Sequence, residues 1–381
     1  MLGSIREELS KLKSDKLMLI ACLIIPIVVN LLVGWQLNKG VIDKVPFAVV
    51  DYDDSQLSRQ LIGYFRDNDA FDLKYQIDSQ SELEALINSS KVRAGMVIPK
   101  NFSEDVTDLK SPTIMMIYDG SHMSLTSIAK SKASEILISM RVGASVKHLQ
   151  GRLNKSYDEA FTTAMPISFV TRTLYNPTKN FNYFMTPGYG TVICQLGIGL
   201  TGVLCVRRRR KEEGEEKRNE LAYILGKVIF YGILGSIAIL INVTMQVTLF
   251  KIPCRGSLPL VYFLSVLFMF AVASLAVALS ACLRNRVVAM TVSGLLLIPN
   301  SIMAGYTWPL ISMIPSYKWM AQFIPFTHYG DNLRDIYLKG STVNVGADIR
   351  FLVLYTVVMI AIGTLGITIR NMGKPKEEDN R

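Results

Sequence analysis

Six stretches of about 20 mostly apolar residues, each long enough to cross a bilayer core, constrain this chain more than anything else in it: 17–37, 187–206, 221–250, 258–283, 287–304 and 351–369. Half of the 381 residues are hydrophobic and 19% are charged, which excludes extended disorder and a single soluble globule. The predicted fold is a polytopic α-helical membrane protein with six transmembrane helices, because backbone in lipid must satisfy its hydrogen bonds within the segment. Residues 287–317 carry no charge, yet the run continues through Gly305, Pro309 and Pro315, which a plain helix tolerates poorly. It is read as a helix to about residue 304 and then a re-entrant hairpin over about 305–325. An ordinary exterior loop of apolar content is the alternative. The first stretch runs too long for a cleaved signal peptide and lacks a small-residue cleavage site, so it is expected to remain as an anchor.

The net charge of +10 is unevenly placed. Residues 38–186 hold 17 Lys/Arg and 17 Asp/Glu, so the whole excess flanks the apolar stretches. Basic membrane edges explain that placement, and no soluble region is left with the basic face that nucleic acid needs. With both termini cytoplasmic, the cytoplasmic segments carry 17 Lys/Arg, among them Arg6, Lys11, Arg207 to Lys211, Arg284 and Arg286, against six in the short exterior loops. The expected layout is therefore an interfacial helix at 1–16, a span at 17–37, and an extracytoplasmic domain at 38–186. Five more spans with the hairpin follow in 187–370, and a cytoplasmic tail in 371–381, all in a bacterial plasma or inner membrane. In the first segment Leu2, Ile5, Leu9 and Leu12 share one face, as in a helix lying along a leaflet.

The inserted region alternates strand and helix patterns: strands at 45–51, 71–77, 92–98 and 113–118, and helices at 56–66, after Ser79, and after Pro99. Ser79 and Glu82 form a capping-box pattern. From Met123 onward Leu125, Ala129, Ala133, Ile136, Met140 and Ala144 recur at steps of three and four, which predicts a long amphipathic helix. The reading is a small α/β domain.

Few residues here carry reaction chemistry. Cys22, Cys194, Cys205, Cys254 and Cys282 all lie in or beside apolar segments, without a metal-ligand spacing. Asp51, Asp53 and Asp54 could be drawn as a metal site and Asp119 with His122 as an acid–base pair. Carboxylates that end a strand before a helix are more often turn and cap residues, and no nucleophile or oxyanion donor accompanies them. No GxxxxGK[ST] phosphate loop occurs, so the chain is read as a non-enzyme that binds no ATP by that motif. Asn242 and Gln246, one turn apart in a span, are read as interhelical hydrogen-bond glue or as substrate ligands. Tyr306, Trp308, Tyr317 and Trp319 suggest an interfacial aromatic belt.

A series of short pieces resembles the permease subunits of ATP-binding-cassette exporters, type-2 permease family, with a large extracytoplasmic domain. Val49-Val50-Asp51-Tyr52-Asp53-Asp54-Ser55 is similar to that family's opening strand and turn, and Lys91-Val92-Arg93-Ala94-Gly95-Met96-Val97-Ile98-Pro99 to its second stretch. Tyr118-Asp119-Gly120-Ser121, Leu174-Tyr175-Asn176-Pro177, Met185-Thr186-Pro187-Gly188 and Leu225-Gly226-Lys227 follow in order. Ala304-Gly305-Tyr306-Thr307-Trp308-Pro309, Pro325-Phe326-Thr327-His328-Tyr329 and Leu338-Lys339-Gly340 complete the series. One departure stands out: family members usually carry a longer loop after the second span, with a Glu-Arg-Gly-Thr-Leu-Glu-like run, where this chain has Arg207 to Glu220.

The resemblance implies a permease half of an exporter for amphipathic or hydrophobic cargo, drug-like or lipid-like. It would work with a second permease, identical or not, and with separate ATP-binding subunits that hold ATP and magnesium; no cofactor is expected in this chain. Arg210, Glu212, Glu213, Glu215 and Glu216, with Arg284 and Arg286, are the candidates for coupling to the ATPase. The charged run Arg207 to Glu220 is also readable as a basic anchor on lipid headgroups. Gly305, Tyr306, Trp308, Pro309 and Pro315 are the candidates for closing the outer end of the pathway. The rival readings are a membrane-anchored surface receptor, which needs fewer spans, and a secondary transporter, which usually places ionisable residues at the midplane. In this reading Lys227 snorkels to the membrane edge.

Overall fold

The structure is a computed structural model that describes residues 1–14, 16–167, 171–206 and 219–372. It separates into two units, Met1–Gly40 with Thr173–Arg381, and Val41–Arg172. The first unit opens with α1 (Leu2–Ser14) and α2 (Lys16–Gln36). Pro26 lacks the N–H that a helix interior needs. The turn just before it is π-helical over Ile20–Ile24, with Ile25 N–H donating to the Ile20 carbonyl, so the ladder is rerouted where the proline enters.

The second unit is built on a four-stranded sheet. Its elements run β1 (Val45–Asp51), α3 (Gln56–Arg66), β2 (Phe71–Ile77), α4 (Gln80–Asn88), β3 (Ala94–Ile98), α5 (Phe102–Thr107), β4 (Met115–Tyr118), α6 (Met123–Leu153) and α7 (Tyr157–Ala164). The strand order is β2-β1-β3-β4. β1 pairs parallel with β2 and β3, and β4 closes the edge antiparallel to β3. Parallel strands need crossover helices and are covered on both faces, which is why β1 reads as a continuous apolar run. Phe47 and Val49 point into a core with Leu61, Phe65, Phe71 and Met96, while Ala48 and Val50 meet Leu83 and Val92 on the other face. The Phe47 and Phe65 rings stack at 5.0 Å. The Ser79 hydroxyl accepts from Glu82 N, one half of the expected capping box.

The first unit resumes with α8 (Phe181–Gly202), α9 (Glu220–Thr248), α10 (Leu258–Cys282), α11 (Arg286–Met303), α12 (Pro315–Ala321), α13 (Pro325–Leu338) and α14 (Val345–Met372). Five helices, α2, α9, α10, α11 and α14, are long and apolar enough to cross a membrane. α8 falls outside that set because Asn182, Thr186, Pro187 and two glycines occupy its first half. It starts six residues before the expected span and packs against α2, α9, α10, α11 and α13. Its polar atoms therefore face protein. Ala278 and Cys282 of α10 lie against Gly363 and Gly366 of α14, the small-residue contact by which helices approach closely without a hydrophobic driving force.

Candidate functional site

Three constellations in the helical unit combine burial with polar chemistry. The first joins α1 to α9. Lys227, in the second turn of α9, is fully buried; its ammonium donates to Glu8 Oε1 at 2.5 Å and to Glu7 Oε2 at 2.9 Å. Tyr231, one turn on, donates to Glu8 Oε2 at 3.0 Å. Lys11 completes the set, 2.7 Å from Glu7 and 2.5 Å from Glu8. Two carboxylates and two ammonium groups cancel, which is the condition under which charges survive burial. Burial pushes the Glu7 carboxyl up, but the hydrogen bonds from Lys11 and Lys227 outweigh it and hold its pKa below the ordinary 4.5. Gly226 makes the approach possible: a Cβ there would lie 2.7 Å from the Met1 carbonyl and 2.8 Å from Ser4 Cβ.

Lys227 is therefore paired inside the protein rather than exposed to water. The apolar face of α1 also divides, with Ile5 and Leu12 packed on the core while Leu2 and Leu9 stay exposed. Glu7, Glu8 and Tyr231 escaped the sequence reading. The only signal was Lys227 itself, a lone cation inside an apolar helix, which needs either an outlet to water or a buried partner and does not say which.

The second constellation follows α8. Gln246 donates to Asn242 Oδ1 at 3.2 Å and to the Thr186 carbonyl at 3.5 Å, and Tyr337 of α13 donates to Gln246 Oε1 at 3.1 Å. One amide thus ties α8, α9 and α13, the glue that the spacing of Asn242 and Gln246 suggested. Further along, Asn30 reaches the Gly190 carbonyl, Gln195 reaches the Leu297 carbonyl, and Asn300 reaches Gln195. Asn30 Oδ1, Asn242 Nδ2 and Asn300 Oδ1 are buried without a hydrogen-bond partner among the described residues.

The third constellation holds the segment between α11 and α13. Gly305 turns the chain at φ +86°, a conformation that disfavours side chains. Tyr306 is buried: it stacks on Phe184 at 5.8 Å and its hydroxyl donates to the Phe184 carbonyl at 2.8 Å. Arg334 donates to the Tyr306 carbonyl at 3.2 Å and lies 5.2 Å from the ring centroid. A second tie uses His328, which stacks on Phe351 and places Nδ1 2.6 Å from Asp348 and Nε2 2.9 Å from the Gln322 carbonyl. Asn332 donates to the other Asp348 oxygen at 2.7 Å. Trp308, Tyr317 and Trp319 are exposed, so Tyr306 separates from the belt as the buried anchor. Pro309 precedes a 3-10 turn at Leu310–Ser312, and Pro315 starts α12.

Of the coupling candidates, Arg210, Glu212, Glu213, Glu215 and Glu216 lie outside the described residues. Arg284 and Arg286 flank Asn285, whose side chain caps α11 by accepting from Val287 N and Val288 N. With Arg370 they line a cleft of about 530 Å³. The carboxylates considered for chemistry in the α/β unit are structural. Asp51 accepts from Asp53 N, Asp54 N and the Ser58 hydroxyl, and Asp53 accepts from Ser103 N. Hydrogen bonds from Ser121, and then from Arg93 at 2.5 Å, hold the Asp119 carboxyl down to about 2.

The family model for ABC-2 family transporter proteins matches residues 16–365. The chain belongs to the ABC-2 transporter family. Over 349 residues and 90% of both chains, it is 23% identical to the probable multidrug ABC transporter permease YbhR of Escherichia coli K12. It is 25% identical to the probable multidrug permease YbhS of the same organism, over 75% of both chains. ABC transporter G family member 20 of Dictyostelium discoideum is 32% identical over 194 residues, 48% of this chain and 26% of that protein. No solved structure was found to match. Membership makes this ABC-2 protein the membrane component of an ABC transporter, a transport subunit that acts with an ATPase partner. Its buried lysine, its amide seam along α8 and its anchored aromatic turn are thus features of a permease.

Proposed function

We propose that the chain is one permease half of an ATP-driven exporter of amphipathic or hydrophobic cargo. Two permeases pair, and two separate subunits bind ATP and magnesium. Six crossings, α2, α8, α9, α10, α11 and α14, place both termini in the cytoplasm and the Val41–Arg172 unit outside. The segment over 305–325 turns back within the protein near the outer face. The relatives named as multidrug permeases support the cargo class, and the charge asymmetry of the loops supports the orientation.

The observation that carries the mechanism is the Glu7–Glu8–Lys11–Lys227–Tyr231 cluster. It fastens a helix at the membrane surface to a spanning helix through a pair, Glu8 and Lys227, that is fully buried, so removing either side chain leaves the cluster with an unbalanced interior charge. A displacement of α1 by the ATPase is therefore passed to α9, and Gln246 passes it on to α8 and α13. Arg210, Glu212, Glu213, Glu215 and Glu216 supply a further surface for the ATPase, and the turn anchored by Tyr306 closes the outer end. Purification in mild detergent tests the assignment. An ATP-binding subunit should copurify in near-stoichiometric amount, and its consistent absence overturns the reading. Cysteines placed at Ser89 and Lys155 should react with an impermeant thiol reagent on intact cells while one at Glu216 does not; the reverse pattern overturns the orientation.

A further inference from the structure

The α/β unit contains a cleft that packing leaves unfilled. The first half of α6 buries Ala129 and Ala133 in the core with the sheet, and Val146 is buried in its later turns, which run beside α7. Between these two contacts lies a cleft of about 340 Å³, within the range of small-molecule sites. Leu137 and Met140 of α6 form one wall, and Val106, Leu109 and Ile114, from α5 and the turn after it, form the other. That turn holds Leu109 and Ser111 at φ +62° and +53°, and Leu109 remains 59% exposed. Strain that keeps a leucine in water at a cleft mouth is not accounted for by core packing.

Among the residues lining the cleft, Arg141 is the only charged one. It is exposed at the cleft and makes no ion pair among the described residues, while Asp105 and Asp108 are both engaged by Lys110, at 3.4 and 3.2 Å. Apolar walls with a single uncompensated cation select one ligand chemistry. We propose that this cleft binds a single-chain amphiphile with an anionic head, the chain lying against Leu137, Met140 and Val106 and the head on Arg141. The site is independent of the transport reading, since binding there needs neither ATPase nor partner.

The test uses the full chain in nanodiscs of zwitterionic lipid, with a dodecanoate carrying a terminal diazirine as the probe. Photolabelling should map to residues 102–114 and 137–145. Unlabelled dodecanoate should compete, and dodecanol and dodecyltrimethylammonium should not, which tests the head-group requirement without a substitution. Arg141→Gln should lower labelling about tenfold, as loss of a charged hydrogen bond would, and Arg141→Lys should keep most of it. Ala144→Trp should fill the cleft and abolish labelling at unchanged thermal midpoint. Labelling confined to the spans, equal labelling of Arg141→Gln, or equal competition by the cation overturns the proposal.

Discussion

The two ends of the helical unit are fastened by different chemistry. At the α1 end four charges and a tyrosine form one neutral cluster, and every member contacts another member directly. At the other end the turn after α11 is held by separable contacts: a stacked tyrosine, an arginine on a backbone carbonyl, and a histidine between two acceptors. A buried charge cluster resists piecemeal change, because removing one member leaves the rest with a net charge in a poor solvent for it. Aromatic stacks and separate hydrogen bonds release one at a time, each at modest cost. The first arrangement suits a joint that transmits displacement, and the second suits a closure that opens.

Substitutions rank that contrast. Lys227→Met should have the largest effect, up to about 3–5 kcal/mol of stability, because the cluster loses its fully buried cation and leaves two carboxylates to Lys11 alone. A cysteine at the buried Ser4, in a chain lacking the five native cysteines, should change from shielded to reactive. The paired change Lys227→Met with Glu8→Gln should recover much of the loss. If Lys227→Met alone leaves the melting midpoint and Ser4 shielding unchanged, the two ends do not differ as described.

Asp348→Asn comes next, at about 1.5–3 kcal/mol for hydrogen bonds to a charged group. Its effect should be confined to the hairpin end: thiol reactivity at Ser312 should rise while Ser4 stays shielded. Equal changes at both positions would mean that the two ends are one cooperative network. Tyr306→Phe keeps the stack on Phe184 and removes one hydroxyl, so about 1 kcal/mol is expected, with α1 unaffected.

The smallest effect concerns acid, in the α/β unit. Asp119 is held down to about 2 from an ordinary 3.8 by Ser121 and Arg93. Its contribution to stability is complete above 3.8 and is lost as the pH falls through about 2. The Glu7 carboxyl, also held below its ordinary value, follows the same sign. Melting of Asp119→Asn should therefore track wild type at pH 2 and fall below it at pH 5. A constant offset between the two proteins at both values would remove the linkage.

Five of the apolar spans, the α/β pattern and the chain's place among permeases were readable along the sequence because each depends on residues close together in it. Hydropathy over about 20 residues, the apolar run of β1, and the cap at Ser79 are local quantities. The strand at 113–118 was legible too, although its antiparallel placement at the sheet edge was not, since register is set by pairing with β3. α8 was misplaced by six residues because its first half is polar, and hydropathy cannot tell polar residues facing protein from polar residues facing water.

Only the tertiary structure decided what becomes of Lys227. Composition permits a lysine near the end of an apolar helix to reach water, and nothing local distinguishes that outcome from burial. Its partners lie some 220 residues away, at Glu7 and Glu8. They meet it because Gly226 and Ser4 let α1 and α9 approach to backbone contact. The same holds for His328 and Asp348, and for Tyr306 and Phe184, where the chemistry of each pair is ordinary and the long-range approach creates the site. Charge pattern assigns sides of a membrane because it sums over segments. An ion pair is a distance, and that distance exists only after the helices have packed.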